Sequence, residues 1–249
     1  MSSPCVLQAE ALHKTYPGSA APAVDQCDLT IREGELFGLL GPNGAGKTTF
    51  VSLVSTLLKP DSGRASICGM DIGTRPDKVR NIIGLVPQNI ALYAELTARE
   101  NLGYFGRLYG LRGGKLKERI RQCLEWVGLE DRADQRIGTY SGGMKRRINL
   151  AIGLLHNPRF LLLDEPTVGI DAQSRNLILE KLAFLPQRGT TILYTTHYME
   201  EAEKICTRVG IIDRGHIVAQ GSPEALLEQG DASSLGDLFL NMTGKQLRD

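Results

Sequence analysis

Eight residues, Gly41-Pro42-Asn43-Gly44-Ala45-Gly46-Lys47-Thr48, leave this chain few folds to choose from. They lie between an apolar stretch, GELFGLL (34–40), and a helical pattern, KTTFVSLVSTLL (47–58). Strand, glycine-rich turn, Lys-Thr and helix make up the context in which the Walker A pattern binds phosphate. The glycines let backbone N–H groups close around β- and γ-phosphates, and the following helix presents its positive end. Lys47 adds a point charge, Thr48 supplies a hydroxyl to Mg²⁺, and Thr49 continues the same turn. Average composition would give such a match in a chain this long only about once in a hundred.

A second acidic half-site follows. Phe160-Leu161-Leu162-Leu163 is a continuous apolar run, as a strand buried on both faces should be, and it delivers Asp164 and Glu165 at its carboxyl end. Ligands sit there in open α/β sheets. Alternation along a strand predicts that the two acids point opposite ways, Asp164 toward Mg²⁺ and Glu165 toward an attacking water. Further apolar and helical runs alternate, among them AQSRNLILEKLAFL (172–185) and TTILYTTH (190–197), which predicts a parallel sheet covered by helices. Residues 5–32 and GRASICGMDI (63–72) read as short antiparallel strands beside that core. The late stretch GIIDRGHIVAQGSPEALLEQ predicts a hairpin turning at Asp213-Arg214-Gly215, then a short helix after Ser222-Pro223.

The middle changes character. Thr97-Ala98-Arg99-Glu100 has the capping-box form and opens a helix that Gly110 can close. Leu116, Ile120, Cys123, Leu124 and Val127 then recur at helical spacing before Gly128. A third helix follows Ser141, with Met144, Ile148, Ala151, Ile152 and Leu155 on one face and Asn157-Pro158 at its end. Residues 89–156 thus form a helical insert in an α/β unit made of 1–88 and 157–249, the whole being a single domain.

With 29 basic and 28 acidic residues there is no net field to draw the chain to nucleic acid. Five scattered cysteines lack any Cys-x-x-Cys and suit a reducing compartment. No stretch approaches the roughly 18 apolar residues of a membrane span, and 1–10 has no signal-peptide character, so membrane work would need another chain to cross.

Between the two half-sites lies Tyr140-Ser141-Gly142-Gly143-Met144, and His197 follows a later strand. In this order the motifs make the chain resemble the ATP-binding cassette (ABC) ATPases over essentially its whole length. The resemblance implies a P-loop NTPase, RecA-like α/β core with a small antiparallel β subdomain and an inserted α-helical subdomain. It implies ATP and Mg²⁺ as ligands, with Tyr16 stacking on adenine and residues 41–49 holding phosphates. Gln88 then approaches Mg²⁺ and the attacking water, and His197 touches the γ-phosphate. Mg²⁺ is held through Thr48, Asp164 and Gln88. Glu165 positions or deprotonates the water, helped by His197 and Lys47. Ser141, Gly142 and Gly143, with Asp171, face the nucleotide of a second cassette, each ATP being sandwiched in a dimer that is expected to be a homodimer. Tyr140 and Met144 stand where the family usually has Leu and Gln. The basic run Lys145-Arg146-Arg147 reads as a solvated helix face, His13, His156 and His216 as structural or surface residues, and Trp126 as core.

The wording SGGMKRRINLA, LDEPTVGID, TTHYMEEAEKICTRVGIIDRGHIVAQGSP and GDLFLNMTGKQLRD resembles ATPase subunits of bacterial drug-resistance and nodulation-factor exporters. That implies an integral-membrane permease on a separate chain, docked by 89–107, and a peripheral place on the cytoplasmic face of the inner membrane. A non-transport ABC ATPase with soluble partners is the alternative. A nucleotide-binding module without turnover would lack Glu165 or His197, and a GTPase would carry an Asn/Thr-Lys-x-Asp motif that does not occur here.

Overall fold

A computed structural model describes residues 4–243. Residues 1–3, the start of the stretch read for signal character, and 244–249, the end of the exporter-like wording, lie outside the described residues. In chain order the elements are β1 (Cys5–Lys14), β2 (Val24–Arg32), β3 (Leu36–Leu40), α1 (Lys47–Val54), β4 (Ser62–Ile67), β5 (Met70–Asp71), α2 (Pro76–Arg80) and β6 (Ile83–Val86). Then come α3 (Ala98–Leu108), α4 (Gly113–Val127), α5 (Gly142–Leu154), β7 (Phe160–Asp164), α6 (Ala172–Ala183) and β8 (Thr191–Thr196). The chain closes with α7 (Met199–Ile205), β9 (Arg208–Asp213), β10 (His216–Gly221), α8 (Pro223–Gly230) and α9 (Leu235–Thr243).

The strands form two sheets. Four pair antiparallel in the order β2-β1-β4-β5. Six form the order β10-β9-β3-β8-β7-β6, parallel except for β10, which returns antiparallel on β9. Strands β3 (LFGLL) and β7 (FLLLD) are buried at every position, and alternation sends successive residues to two different cores. Phe37, Leu39, Phe160 and Leu162 pack with α1 and the antiparallel sheet, while Leu36, Leu40, Leu161 and Leu163 pack with α6, α7 and α9. Each buried Leu or Phe contributes roughly 1.5–3 kcal/mol, so the central strands are the best-anchored part of the molecule. The site motifs sit at their ends.

Helices α3, α4 and α5 enclose a third core of Leu102, Leu116, Ile120, Leu124, Ile148 and Ile152, among others. Thr97 and Glu100 form the expected reciprocal cap on α3. Gly128 closes α4 in a left-handed conformation at φ 63°, and Asn157 at φ 60° follows the end of α5. Helix α5 also lies against β6, where the positions of Gly84 and Gly153 bring helix and strand backbones together.

Several expectations shift. The 47–58 helical run stops at Val54, because Thr56 turns left-handed at φ 65° and Leu57 and Leu58 both donate to Ser52 O. The short strand β6 and the helix α9 were not read from sequence. The first half of the 213–215 hairpin, β9, proves to be a parallel strand of the main sheet.

Candidate nucleotide site

The glycine loop connects β3 to α1. Gly46 is the N-cap of α1 at φ 110°, and a Cβ there would fall 2.2 Å from Ala23 O, so a residue without a side chain is needed on two counts. No acidic residue occupies the first turn of α1, which leaves its free N–H groups and positive end for an anion. Lys47 is 4% exposed, and its Nζ donates to Gly41 O at 2.8 Å and Pro42 O at 3.0 Å while lying 3.0 Å from Glu165 Oε1. A buried cation is thereby held at the loop by two carbonyls and one carboxylate.

Asp164 ends β7 and accepts from Thr48 Oγ1 at 3.2 Å and from Thr195 Oγ1 at 2.9 Å. Burial pushes its carboxyl above the ordinary carboxylate value, against the pull of those two hydroxyls. The alternation expected for Asp164 and Glu165 fails. Glu165 has left the strand in a left-handed conformation at φ 46°, fastened by N–H bonds to Thr195 Oγ1 (3.0 Å) and Thr195 O (3.2 Å), so both carboxyls turn toward the same loop. Gln88 Nε2 donates to Glu165 Oε2 at 3.3 Å, and His197 Nδ1 lies 3.2 Å from the same oxygen without hydrogen-bond alignment. One carboxylate thus collects a lysine, an amide and an imidazole from β3–α1, the end of β6 and the end of β8.

Ala23, Asn43, Gly44, Gly46, Lys47, Thr48, Thr49, Gln88 and Glu165 line an open cleft of about 380 Å³. Tyr16 stands beside it, 40% exposed, with its hydroxyl 3.3 Å from Thr49 Oγ1. The oxygens on offer, a hydroxyl, a carboxylate and an amide, are hard ligands of the kind Mg²⁺ takes. Among the described residues no group of three or more His, Cys, Asp and Glu could hold a metal by itself.

Ser141, Gly142, Gly143 and Asp171 do not line this cleft. They meet one another: a Cβ on Gly143 would fall 2.1 Å from Ser174 Oγ and 3.3 Å from Asp171 Oδ2. Ser141 caps α5 by accepting from Met144 N at 3.2 Å, and Asp171 caps α6 by accepting from Ser174 N at 2.9 Å. Those Ser174 bonds hold Asp171 below the usual carboxylate range. Tyr140 is buried and donates its hydroxyl to Arg132 O at 2.5 Å, while Met144 packs on the helical core, which accounts locally for both departures from the usual wording.

The basic run is not a solvated face. Arg146 is 6% exposed and donates to Gln88 O and, at 3.0 Å, to Val168 O, while Arg147 donates to Val127 O at 2.8 Å. Asn149 donates to Pro87 O at 3.2 Å. Helix α5 therefore holds the Gln88 segment by two side chains that sequence reasoning passed over. The spacing of Arg146 and Asn149, three apart on the inward face with Ile148 and Ile152, was the available signal.

Residues 24–168 match the ABC transporter family. The chain is 51% identical over 238 residues to the linearmycin resistance ATP-binding protein LnrL of Bacillus subtilis (strain 168), covering 96% of this chain and 75% of that protein. It is 46% identical over 216 residues to the Nod factor export ATP-binding protein I of Rhizobium sp. (strain N33), covering 87% and 71%. In structure it resembles the ATP-binding cassette MJ0796, a dimer in a post-hydrolysis state bound to ADP and Pi, with a TM-score of 0.79 and 28% identity over 87% of this chain and 98% of that one.

Proposed function

Because the chain belongs to the ABC transporter family, as an ATP-binding and ATP-hydrolysing subunit, we propose that two copies close around two ATP molecules and drive export through a permease carried on a separate chain. The observation that carries this reading is the convergence of Lys47, Gln88 and His197 on Glu165, beside the Thr48–Asp164 contact. Phosphates of ATP lie at the N-terminus of α1, where Lys47 and the loop N–H groups meet their charge and Tyr16 stacks on the adenine. Glu165 orients or deprotonates the attacking water. His197 and Lys47 stabilise charge on the γ-phosphate. Thr48, Asp164 and Gln88 hold Mg²⁺, which when bound neutralises charge on the phosphate oxygens.

Ser141, Gly142, Gly143 and Asp171 supply the second wall of the partner's nucleotide site. Their separation from the cleft of their own chain supports that assignment, as does the dimeric state of the MJ0796 cassette. The segment 89–107 within the helical part 89–156 faces the permease. Tyr93 and Tyr104 there are 49% and 41% exposed, with ring centroids 5.1 Å apart, and Tyr104 meets Phe105 at 5.3 Å, so an apolar aromatic surface stands ready for a partner helix. No helix among the described residues is long and apolar enough to cross a membrane. The cassette acts from the cytoplasmic face by its resemblance to transporter ATPase subunits, and the export direction follows the Nod factor export named for one relative.

Two measurements test this. General-base assistance is worth about 10² to 10⁴ in rate, so Glu165→Gln should bind ATP and turn over at least about a hundredfold more slowly. Near-normal turnover in that variant removes Glu165 from the role. Affinity capture from gently solubilised native membranes should then bring down a polytopic membrane protein at near-equal stoichiometry. Recovery of soluble partners alone would move the chain to the non-transport ABC ATPases.

A further inference from the structure

Among the described residues three carboxylates are buried: Glu165 in the cleft, Asp164 beside it on Thr48, and Glu201 on α7. Glu201 is 4% exposed, and its Oε2 accepts from Thr167 Oγ1 at 2.9 Å, from Thr196 Oγ1 at 3.1 Å and from the Tyr194 hydroxyl. Its Oε1 has one neighbour of opposite charge, Arg175 Nε at 3.4 Å, out of hydrogen-bond alignment. Burial, with Glu201 beside it, raises the Tyr194 phenol well above its ordinary value, so at neutral pH that hydroxyl is a donor.

These four partners come from the three segments that carry the chemistry. Thr167 lies two residues beyond Glu165. Tyr194 and Thr196 end β8 immediately before His197, and Thr196 Oγ1 also accepts from Tyr198 N at 2.9 Å. Arg175 lies in the first turn and a half of α6, the helix that Asp171 caps. Its guanidinium sits 4.8 Å from the Tyr198 ring, which in turn packs on the His197 ring at 4.1 Å. Burying a carboxylate costs desolvation that an apolar side chain of similar size would avoid, so stability alone does not account for an acid here. A single carboxylate with several directed donors does fix geometry.

We propose that Glu201 is a positioning residue for ATP hydrolysis: its one carboxylate fastens the Glu165, His197 and Asp171 segments in register. The proposal rests on the roles given above to Glu165 and His197. The clamp meets the glycine loop through a backbone bond, Thr196 O accepting from Gly41 N at 3.4 Å, which Glu201→Gln leaves in place, so loss of the carboxylate should act on the chemical step and spare ATP binding. Displacements near 1 Å cost on the order of 10² in rate.

Steady-state ATPase rates and equilibrium binding of a fluorescent ATP analogue test it in Glu201→Gln, with Glu165→Gln and His197→Ala as controls. The expected result is a kcat at least about tenfold lower with an affinity within about twofold of the parent. With both controls impaired, a Glu201→Gln kcat within about twofold of the parent overturns the clamp and leaves the site reading intact. A parallel fall of rate and affinity also overturns it, since that marks general destabilisation. Turnover surviving in both controls removes the site reading and the clamp with it. Should Glu201→Gln fail to fold, Tyr194→Phe and Arg175→Met decide: kcat at least about threefold lower at unchanged affinity supports the clamp, and parental kcat in both overturns it.

Discussion

Arg146→Met tests whether helix α5 is wired to the nucleotide cleft. The guanidinium is buried and donates to Gln88 O and Val168 O. Hydrogen bonds from a charged donor contribute about 1.5–3 kcal/mol each. Two would give about 3–6 kcal/mol, but three effects reduce that figure. Desolvation already holds the guanidinium below its ordinary pKa, its Nε has no partner, and Gln88 is exposed enough for water to reach its carbonyl once freed. Methionine refills the volume of the stem, so little cavity is added. The expected net loss is about 2 kcal/mol, read as a lower urea midpoint at unchanged slope. Turnover should also fall more than ATP affinity, because Gln88 loses its backbone anchor. Lys145→Met, on the half-exposed neighbour, should stay within about 0.5 kcal/mol. An Arg146→Met loss no larger than that of the control would refute the wiring.

Gly46→Ala should abolish nucleotide binding, as judged by a fluorescent ATP analogue, and cost at least about 2 kcal/mol in a thermal melt, since φ 110° and the Ala23 carbonyl at 2.2 Å both oppose a Cβ. His156 is held below its ordinary value of 6.5 by burial, with Nε2 on Ile83 O and Nδ1 unpartnered. As pH falls the unfolded chain therefore takes up that proton first, so the stability this residue contributes is present above pH 6.5 and is lost as pH drops toward the lower folded value. Urea midpoints of parent and His156→Gln, compared from about pH 7.5 to about 5.5, should show the shallower decline in the variant. Tyr140→Phe should lose about 1 kcal/mol in the same denaturation assay, the worth of the hydroxyl's bond to Arg132 O.

The parts of the fold legible in the sequence were those specified locally. The capping box at Thr97, the left-handed glycine at Gly128 and the apolar runs of β3 and β7 each write their element into a handful of adjacent residues. Strand β6, four residues long, carries too little periodicity to stand out and forms because a sheet edge receives it, whereas α9 does show a helical period in Leu235, Leu238, Phe239 and Met242, a signal the sequence reading passed over. The alternation rule misplaced Glu165 for a related reason. Period two holds only while the backbone stays extended, and the φ of 46° at Glu165 is imposed by Thr195 on the neighbouring strand, thirty residues away in sequence.

The same distinction separates the phosphate loop from what serves it. A loop that grips phosphate with its own N–H groups must spell out its glycines in sequence, because each position answers a steric demand within a few residues. Side chains that hold one segment against another answer to partners far along the chain, and nothing in their immediate neighbours marks them. Arg146 within Lys-Arg-Arg reads as surface charge until Gln88 O and Val168 O are seen to receive it, and nothing in Met-Glu-Glu-Ala marks Glu201 as the acid around which Thr167, Tyr194 and Thr196 close. Burial is what tells them apart. Glu200 and Glu201 are neighbours of identical chemistry, yet one is exposed and the other is 4% exposed among three hydroxyls. An ion removed from water at that cost is held by its donors in one orientation, so the segments those donors sit on are held with it.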